Sequence, residues 1–194
     1  MYVGDGGNKG ALHLFKEVFN NSLDEMNNIA NAHKKVKRIY VSFSEKLQKF
    51  TVMDEGRGIP MDILKDAVMT KHVTTKNLTL SESRNKKQTG LNGVGMTLVA
   101  ALSDMMSVTT FRGTQMKKIT LMDGNLTEEI IKPLKKDDQT TGTMTEFIPS
   151  KKYLGDFHID NDMVMDFLRN MSYIVEPDVE ITLTLEDATK KHKI

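Results

Sequence analysis

The sequence predicts an α+β fold, and three observations lead to this prediction. Apolar residues recur at helical spacing over residues 11–32, which is typical of a long amphipathic helix. Residues 38–53 form two short alternating runs separated by a polar pair, which favours a β-hairpin. The stretch 106–148 consists of short runs separated by turns such as Gly113-Thr114 and Asp123-Gly124-Asn125, and therefore predicts further strands.

The composition is that of one globular domain with a sizeable core. The chain has 194 residues, of which 39% are hydrophobic and 27% charged, and its formal net charge is +1. This charge balance gives no strong field, so the domain is not an obvious nucleic-acid binder. Cysteine is absent, which excludes disulfides and thiolate metal sites. We find neither an apolar run of about twenty residues nor a signal peptide, and expect a cytoplasmic domain without membrane contact.

The first predicted helix carries a polar stripe beside its apolar arc. Glu17, Asn21 and Asp24 follow one another at spacings of four and three residues along the flank of this arc. The ordinary interpretation is a solvated acidic edge, and the alternative is a half-covered edge directed at a ligand beside the core. The arc itself consists of Leu14, Phe15, Val18, Phe19, Ser22, Met26 and Ile29.

A second motif follows the hairpin, where a predicted strand ends in the sequence DEGRGIP, residues 54–60. Two glycines around Arg57 mark a tight backbone passage, and Pro60 suits the first turn of a helix predicted over residues 61–70. One interpretation is an ordinary strand-to-helix turn. The other is an acid, Asp54, at a strand end, with bare backbone beside it against which a flat ligand can lie.

A third motif combines a long polar loop with a glycine-rich helix start. Residues 71–89 have no stable periodicity, which is typical of a lid or a disordered loop. The sequence GLNGVG, residues 90–95, comes next, and a helix is predicted over residues 96–103. Free N–H groups at a helix start favour an anion, so this motif is a candidate phosphate cradle. It is not the dinucleotide fingerprint, because no strand–helix–strand unit with a ribose-binding acid surrounds it.

The rest of the chain supplies strands and one further helix. An amphipathic helix is predicted over residues 160–172, and residues 187–194 are interpreted as a frayed basic tail. The predicted strands cover residues 106–112, 116–122, 128–132, 143–148 and 180–185.

Taken in order, these motifs and a strand that opens with TGT resemble the GHKL ATPases. The stretches MYVGD, TGLNGVGMTLVAALS and TGTMTEFIPS are similar to the ATPase domains of type II topoisomerase ATP subunits, the gyrase B and topoisomerase IV E subunits. The resemblance runs from residue 1 to about residue 185. It implies an ATP-binding domain over residues 1–186 with the Bergerat fold, a two-layer sandwich of a mixed, mostly antiparallel sheet with helices on one face.

The resemblance also implies roles for individual residues. Glu17 matches the general base that takes a proton from the water attacking the γ-phosphate, and Asn21 matches the Mg²⁺ ligand. Asp54 matches the acid that accepts a hydrogen bond from the adenine amino group, and Thr143 assists it through a water. The other implied contacts are Asp24 and Glu25 beside the site, with Asp24 supporting Arg57; Gly58, Ile59 and Pro60 as wall and floor; Gly90, Leu91, Asn92, Gly93, Val94 and Gly95 around the phosphates; Arg112 at the pocket mouth; and Lys76 as a phosphate contact.

The chain departs from this family in its lid and at its ends. Thr74-Thr75-Lys76 stands where bacterial members usually carry Gly-Gly-Lys, and Asn92 stands where many carry histidine. The family's N-terminal arm and its transducer domain are lacking, and residues 187–194 are a tail or the start of a linker. We therefore interpret the chain as a fragment that binds ATP with Mg²⁺, hydrolyses it slowly and is a monomer on its own.

The function implied by the resemblance is ATP hydrolysis that drives DNA strand passage by a type II topoisomerase. DNA, a cleavage subunit and dimerisation then belong to the full-length protein. The alternative is a nucleotide-dependent clamp or chaperone-like module with little turnover. A phosphotransfer kinase domain ranks below both, because no histidine-bearing helix pair precedes the fold.

Overall fold

The structure is a computed structural model, which describes residues 6–31, 33–69, 92–135, 141–186 and 191–193. Within these ranges, no helix is long and apolar enough to cross a membrane. The helices are α1 (Gly7–Asn27), a short 3₁₀ helix (Ile29–Asn31), α2 (Leu64–Met69), α3 (Asn92–Ala101), α4 (Lys151–Leu154) and α5 (Asn161–Ser172). The strands are β1 (Lys37–Ser44), β2 (Lys49–Asp54), β3 (Ser103–Arg112), β4 (Gln115–Met122), β5 (Asn125–Pro133), β6 (Gly142–Pro149), β7 (Val179–Leu185) and β8 (Lys191–Lys193).

The described strands form one sheet in the order β5-β4-β3-β6-β2-β1-β7-β8. The pair β1 and β7 is parallel, and the other neighbouring strands pair in the antiparallel sense. The predicted mixed, mostly antiparallel sheet is thereby confirmed. The order brings the ends of β2 and β6 together, and the register places Asp54 opposite Thr143.

The core lies between one face of this sheet and the layer of helices. Alternate residues of the strands are buried, as the two-residue period of a half-covered strand requires. The apolar arc of α1 packs onto these residues, and the ring of Phe15 stacks on that of Phe50 with centroids 5.0 Å apart. Phe167 of α5 also contacts the ring of Phe15, at 4.8 Å between centroids. The predicted two-layer arrangement is therefore correct.

Helix α1 begins earlier and ends earlier than the predicted range 11–32. It starts at Gly7 and stops at Asn27, where Asn28 takes an extended conformation. The side-chain amide of Asn31 then donates hydrogen bonds to the carbonyl oxygen of Glu25, at 2.7 Å, and to its carboxylate, at 3.1 Å. This carbonyl also accepts a hydrogen bond from the backbone N–H of Asn28 at 3.1 Å, so the contacts from Asn31 reinforce the end of the helix.

The predictions for α2 and α3 are wrong in their boundaries. Helix α2 begins at Leu64, so Pro60 does not lie in its first turn as predicted. Helix α3 begins at Asn92, so the glycines of the third motif that the structure describes lie within its first turn and not before it. At Gly95 a Cβ atom would stand 2.7 Å from a carboxylate oxygen of Glu17, so the close approach of α3 to α1 requires glycine there. A glycine is needed for the close approach of two helices as well as for loop flexibility.

In the C-terminal part of the chain, the prediction of helix α5 is confirmed and the prediction of a frayed tail is wrong for residues 191–193. Helix α5 starts within one residue of the predicted range, and the carboxylate of Asp160 caps it by accepting a hydrogen bond from the backbone of Met163 at 2.8 Å. The tail is not frayed throughout, because residues 191–193 form β8 and pair with β7. Backbone hydrogen bonds to an edge strand do not require apolar side chains, so hydropathy gave no sign of this strand.

Candidate nucleotide-binding site

A cavity of about 270 Å³ opens between α1, α2 and the neighbouring ends of β2 and β6. Helix α1 supplies a polar and apolar wall, and the irregular segment after β2 supplies the opposite one. The residues that line the cavity are Val18, Asn21, Ser22, Glu25, Asp54, Arg57, Gly58, Ile59, Pro60, Ala67, Val68, Met96, Thr143 and Thr145. Three separate motifs of the sequence thus meet in one place.

Asp54 is the buried acid of this cavity, with 2% of its surface exposed. Its Oδ1 accepts hydrogen bonds from the backbone N–H groups of Gly56, at 2.9 Å, and Thr143, at 3.3 Å. Its Oδ2 accepts one from the hydroxyl of Ser22 at 3.0 Å. Burial nevertheless raises the pKa of Asp54 to about 6, because these hydrogen bonds do not fully replace the water that the carboxylate loses.

Because the pKa of Asp54 is raised, the free energy of unfolding is predicted to fall as the pH rises and Asp54 ionises. Between the ordinary pKa of 3.8 and the folded value of about 6, the folded chain holds this proton more tightly than the unfolded chain. Protonation of Asp54 therefore stabilises the folded chain fully below pH 4, and this stabilisation is lost as the pH rises through 6. We expect Asp54→Asn, which stays neutral, to exceed the original chain in free energy of unfolding by up to about 3 kcal/mol above pH 6.

The measurement for this prediction is urea unfolding of both chains between pH 4 and pH 7. The difference between them should grow across that interval and level off above it. A difference that does not change with pH would mean that Asp54 titrates at its ordinary value. Ser22→Ala is the matched variant, because it removes one hydrogen bond to the carboxylate without removing the acid.

Glu25 is the partner of Arg57, and the predicted pairing of Arg57 with Asp24 is wrong. The Glu25 carboxylate accepts hydrogen bonds from the Arg57 backbone N–H, Nε and Nη2 at 2.9, 2.9 and 2.8 Å. Burial alone would raise the pKa of Glu25, but these hydrogen bonds outweigh it and hold the pKa below its ordinary value. Asp24 is exposed and does not line the cavity.

The helical geometry of α1 explains this correction. Successive residues stand about 100° apart around a helix. The cavity faces the arc that contains Val18, Asn21 and Glu25, and Asp24 lies more than a quarter turn from the middle of that arc. Glu17, Asn21 and Asp24 do share a stripe, but the cavity meets this stripe only at Asn21.

Gly58 lets the segment after β2 lie close against the ends of β3 and β6. Its φ is +72°, in the left-handed region. A Cβ atom there would stand 2.6 Å from the carbonyl oxygen of Phe111 and 2.9 Å from that of Gly142. Both the conformation and the space require glycine at this position. The guanidinium of Arg112 donates to the carbonyl oxygen of Gly58 at 3.0 Å, so this arginine contacts the wall and does not line the cavity itself.

Glu17 and Asn21 occupy different positions relative to the cavity. Asn21 lines it, and its buried side-chain Nδ2 has no hydrogen-bond partner within the described ranges. The Glu17 side chain is 31% exposed and lies between α1 and α3, with its Oε1 3.6 Å from Nε2 of His13. It does not line the cavity. An unpaired buried amide is costly unless a ligand or water contacts it, so Asn21 is the stronger of the two as a contact for a bound group.

Several functional positions were not predicted from the sequence. Ser22 was assigned to the apolar arc, but its hydroxyl orients Asp54. Thr145 lines the cavity beside Thr143, and the two-residue period of a strand was a signal that could have identified it. Val18, Ala67, Val68 and Met96 supply apolar walls that look like ordinary core in the sequence.

Part of the predicted phosphate site lies outside the described residues, namely Lys76, Gly90, Leu91 and the predicted lid over residues 71–89. Of the positions after them, Asn92, Gly93 and Val94 are placed by their backbone in the first turn of α3. The start of this helix, whose Gly95 approaches Glu17, is thus at the same side of α1 as the predicted general base.

The chemistry of the cavity defines a class of protein. Apolar walls with one buried carboxylate suit a flat heterocycle that carries an amino donor, and an unpaired amide and a helix start lie further along the same face. On an α+β fold with helices on one face of the sheet, these features are those of a nucleotide-binding domain.

Comparison with known proteins specifies this class. The chain belongs to the family described as "Histidine kinase-, DNA gyrase B-, and HSP90-like ATPase", which it matches over residues 6–148. The predicted membership of the GHKL ATPases is confirmed, and ATP is the nucleotide that this family uses.

The similar proteins are components of topoisomerases. The chain is 32% identical over 180 residues to the DNA gyrase B subunit of Thermus thermophilus, covering 90% of the chain and 27% of that protein. It is 29% identical over 201 residues to the type 2 topoisomerase B subunit of Aquifex aeolicus, covering 100% of the chain and 24% of that protein. The chain therefore spans about a quarter of the length of these curated relatives.

A solved structure matches the whole fold. The crystal structure of the 43K ATPase domain of Thermus thermophilus gyrase B, in complex with an aminocoumarin, superposes with a TM-score of 0.76 at 27% identity. The match covers 100% of this chain and 48% of that one. The predicted fold class is confirmed by this match as well as by the sheet order.

Proposed function

We propose that the chain is the nucleotide-binding part of a type II topoisomerase ATP subunit, in which ATP binding and hydrolysis drive DNA strand passage. The observation that carries this proposal is the buried Asp54 carboxylate beside the wall of Gly58, Ile59 and Pro60, in a chain of this ATPase family. The names of the similar proteins, the B subunits of DNA gyrase and of a type 2 topoisomerase, supply the class of reaction.

In this proposal, adenine lies in the cavity and its amino group donates a hydrogen bond to Asp54. The discrimination follows from chemistry, since a base with a carbonyl oxygen at that position would meet the carboxylate with a second acceptor. Thr143 lies beside the carboxylate and is proposed to contact the base through a water. Gly58, Ile59 and Pro60 form the wall against which the base lies.

The phosphates are proposed to extend along α1 toward the start of α3. The backbone of Asn92, Gly93, Val94 and Gly95 in the first turn of α3 offers N–H groups and the positive end of a helix dipole. Glu17 lies at this side and is proposed as the general base for the attacking water. Lys76, Gly90 and Leu91 are proposed as further phosphate contacts on the basis of the family resemblance.

Asn21 is proposed to hold Mg²⁺. Its side-chain oxygen is a suitable ligand for a hard cation, and its unpaired, buried Nδ2 is a donor that suits a phosphate oxygen beside the metal. In the described part of the chain, no group of three histidine or acidic side chains could hold a metal on its own. When bound, Mg²⁺ neutralises charge on the phosphate oxygens.

DNA, a cleavage subunit and a second copy of the ATP subunit are proposed partners of the full-length protein, in the cytoplasm. The chain alone is proposed to be a monomer with slow turnover. A nucleotide-dependent clamp with little turnover is the second candidate. It rests on the family of this chain, whose description includes HSP90-like ATPases beside gyrase B.

Relaxation of supercoiled plasmid by the full-length protein and its cleavage subunit tests the proposal. We expect relaxation or supercoiling that continues for many cycles with ATP and stops after about one cycle with a non-hydrolysable analogue. Binding of the analogue without any change in DNA topology would favour the clamp. Failure of the chain to bind the analogue at all would refute both candidates.

A further inference from the structure

The cavity wall between Gly58 and Met61 has no regular secondary structure, yet it is held by the sheet. Three side chains of β3 and β4 donate hydrogen bonds to its carbonyl groups. Arg112 Nη1 donates to Gly58 at 3.0 Å, Thr110 Oγ1 to Ile59 at 2.7 Å, and Lys117 Nζ to Met61 at 2.9 Å. The wall is therefore fixed from beneath at three points, and Lys117 provides the last of them.

Lys117 is unusual because it is a lysine on the buried face of its strand. Its side chain is 10% exposed, and it stands in the alternating series of β4 whose next members, Ile119 and Leu121, belong to the core. A buried ammonium group is costly unless it is paired. Glu129 of the neighbouring strand β5 supplies the counter-charge at 2.8 Å, and this contact lowers the pKa of Glu129.

The contact from Lys117 reaches the nucleotide site through backbone only. Met61 follows Ile59 and Pro60, which line the cavity, whereas Lys117 does not line it. Met61 also opens the turn that leads into α2, where Pro60 accepts a hydrogen bond from Ile63 and Ile63 accepts one from Ala67. Ala67 lines the cavity as well. Fixing the Met61 carbonyl thus sets the position of the wall and of the helix that continues it.

We propose that Lys117, paired with Glu129, is a positioning residue for nucleotide binding that holds the Ile59–Pro60 wall and the start of α2 at the distance from α1 that the adenine base requires. The inference rests on the proposed function, since it assumes that a nucleotide occupies this cavity. It assigns a role to a side chain that touches no ligand. The edge strand β5, through Glu129, becomes part of the support of the site.

The test compares variants of the chain in their affinity for a non-hydrolysable ATP analogue with Mg²⁺, measured by calorimetry, and in their dissociation rate, measured by stopped flow. We expect Lys117→Met to bind about tenfold more weakly, mostly through faster dissociation. Lys118→Met is the matched control, because Lys118 is the next residue of the same strand and points to the opposite, half-exposed face. It should bind as the original chain does.

Lys117→Arg is the rescue variant, because a guanidinium can donate to both the Met61 carbonyl and Glu129. We expect its affinity to lie within about threefold of the original value. A lysine that served stability alone would lower the unfolding midpoint of Lys117→Met and leave the affinity of the folded protein unchanged, which would overturn the inference. If Lys117→Met does not fold, Glu129→Gln takes its place, and unchanged affinity in that variant overturns the inference equally.

Two failures are distinguishable in this experiment. If the original chain does not bind the analogue, the proposed function is wrong and the inference fails with it. If the original chain binds and the Lys117 and Glu129 variants bind equally well, the proposed function stands and only the positioning role is refuted.

Discussion

Replacing Asp54 by asparagine is expected to weaken ATP-analogue binding by about a hundredfold or more. The variant replaces a carboxylate oxygen with an amide NH₂ group, so the adenine amino donor would meet a second donor in a buried place. The variant loses a hydrogen bond to a charged acceptor and leaves a buried donor unpaired, and both changes lower the affinity for the analogue. Calorimetry at pH 7.5 with Mg²⁺ measures the effect.

Asparagine at position 54 should leave the fold intact, which makes the result interpretable. The Oδ1 atom can still accept the hydrogen bonds from Gly56 and Thr143, and the ionisation cost of a buried carboxylate is removed. We expect a variant that is more stable than the original chain above pH 6 and nevertheless fails to bind. Ser22→Ala, which keeps the acid, should lose less than about tenfold in affinity. Unchanged affinity in Asp54→Asn would refute the proposal that Asp54 binds the adenine amino group.

Periodicity predicted the parts of the fold that burial alone determines. The arc of α1 from Leu14 to Met26 is buried as predicted, because a helix that covers a sheet must present apolar residues at 3.6-residue spacing. The paired strands were predicted to within a few residues at their ends, because a half-covered strand buries every second residue. The order of three glycine-containing motifs further allowed Asp54 to be assigned to a cavity before any geometry was known.

Tertiary contacts decided what periodicity could not. The start of α2 is delayed because Thr110 and Lys117 bind carbonyl groups of the segment before it, and both lie more than fifty residues away in sequence. The glycine at position 95 is explained by the close approach of α3 to Glu17 of α1, which is a tertiary contact. Whether Asp24 or Glu25 pairs with Arg57 depends on which side of α1 faces the cavity. A helical pattern gives the angles between residues but does not give that side. Lys117 itself has no sequence signal, since a lysine in a strand is ordinarily exposed.

Glu17→Gln in the full-length protein is expected to retain ATP-analogue binding within about threefold and to lower the rate of ATP hydrolysis by about a thousandfold, the usual contribution of a general base. Glutamine keeps the size of the side chain, which matters because Gly95 leaves little room beside it. It cannot accept a proton from water at neutral pH. Steady-state phosphate release and single-turnover hydrolysis measure the change, and Asp166→Asn on the exposed side of α5 is the charge-matched control.

The result for Glu17 also separates the two candidate functions. In the ATPase, hydrolysis falls steeply while binding persists, because the carboxylate acts on the water and not on the nucleotide. In a clamp with little turnover, the residual hydrolysis is slow in the original protein and Glu17→Gln changes it by less than about threefold. Persistent fast hydrolysis in Glu17→Gln would assign the base to another group. The position of Glu17 against the first turn of α3 favours the first outcome, since a base for the γ-phosphate belongs where the helix start attracts the phosphates and not beside Asp54.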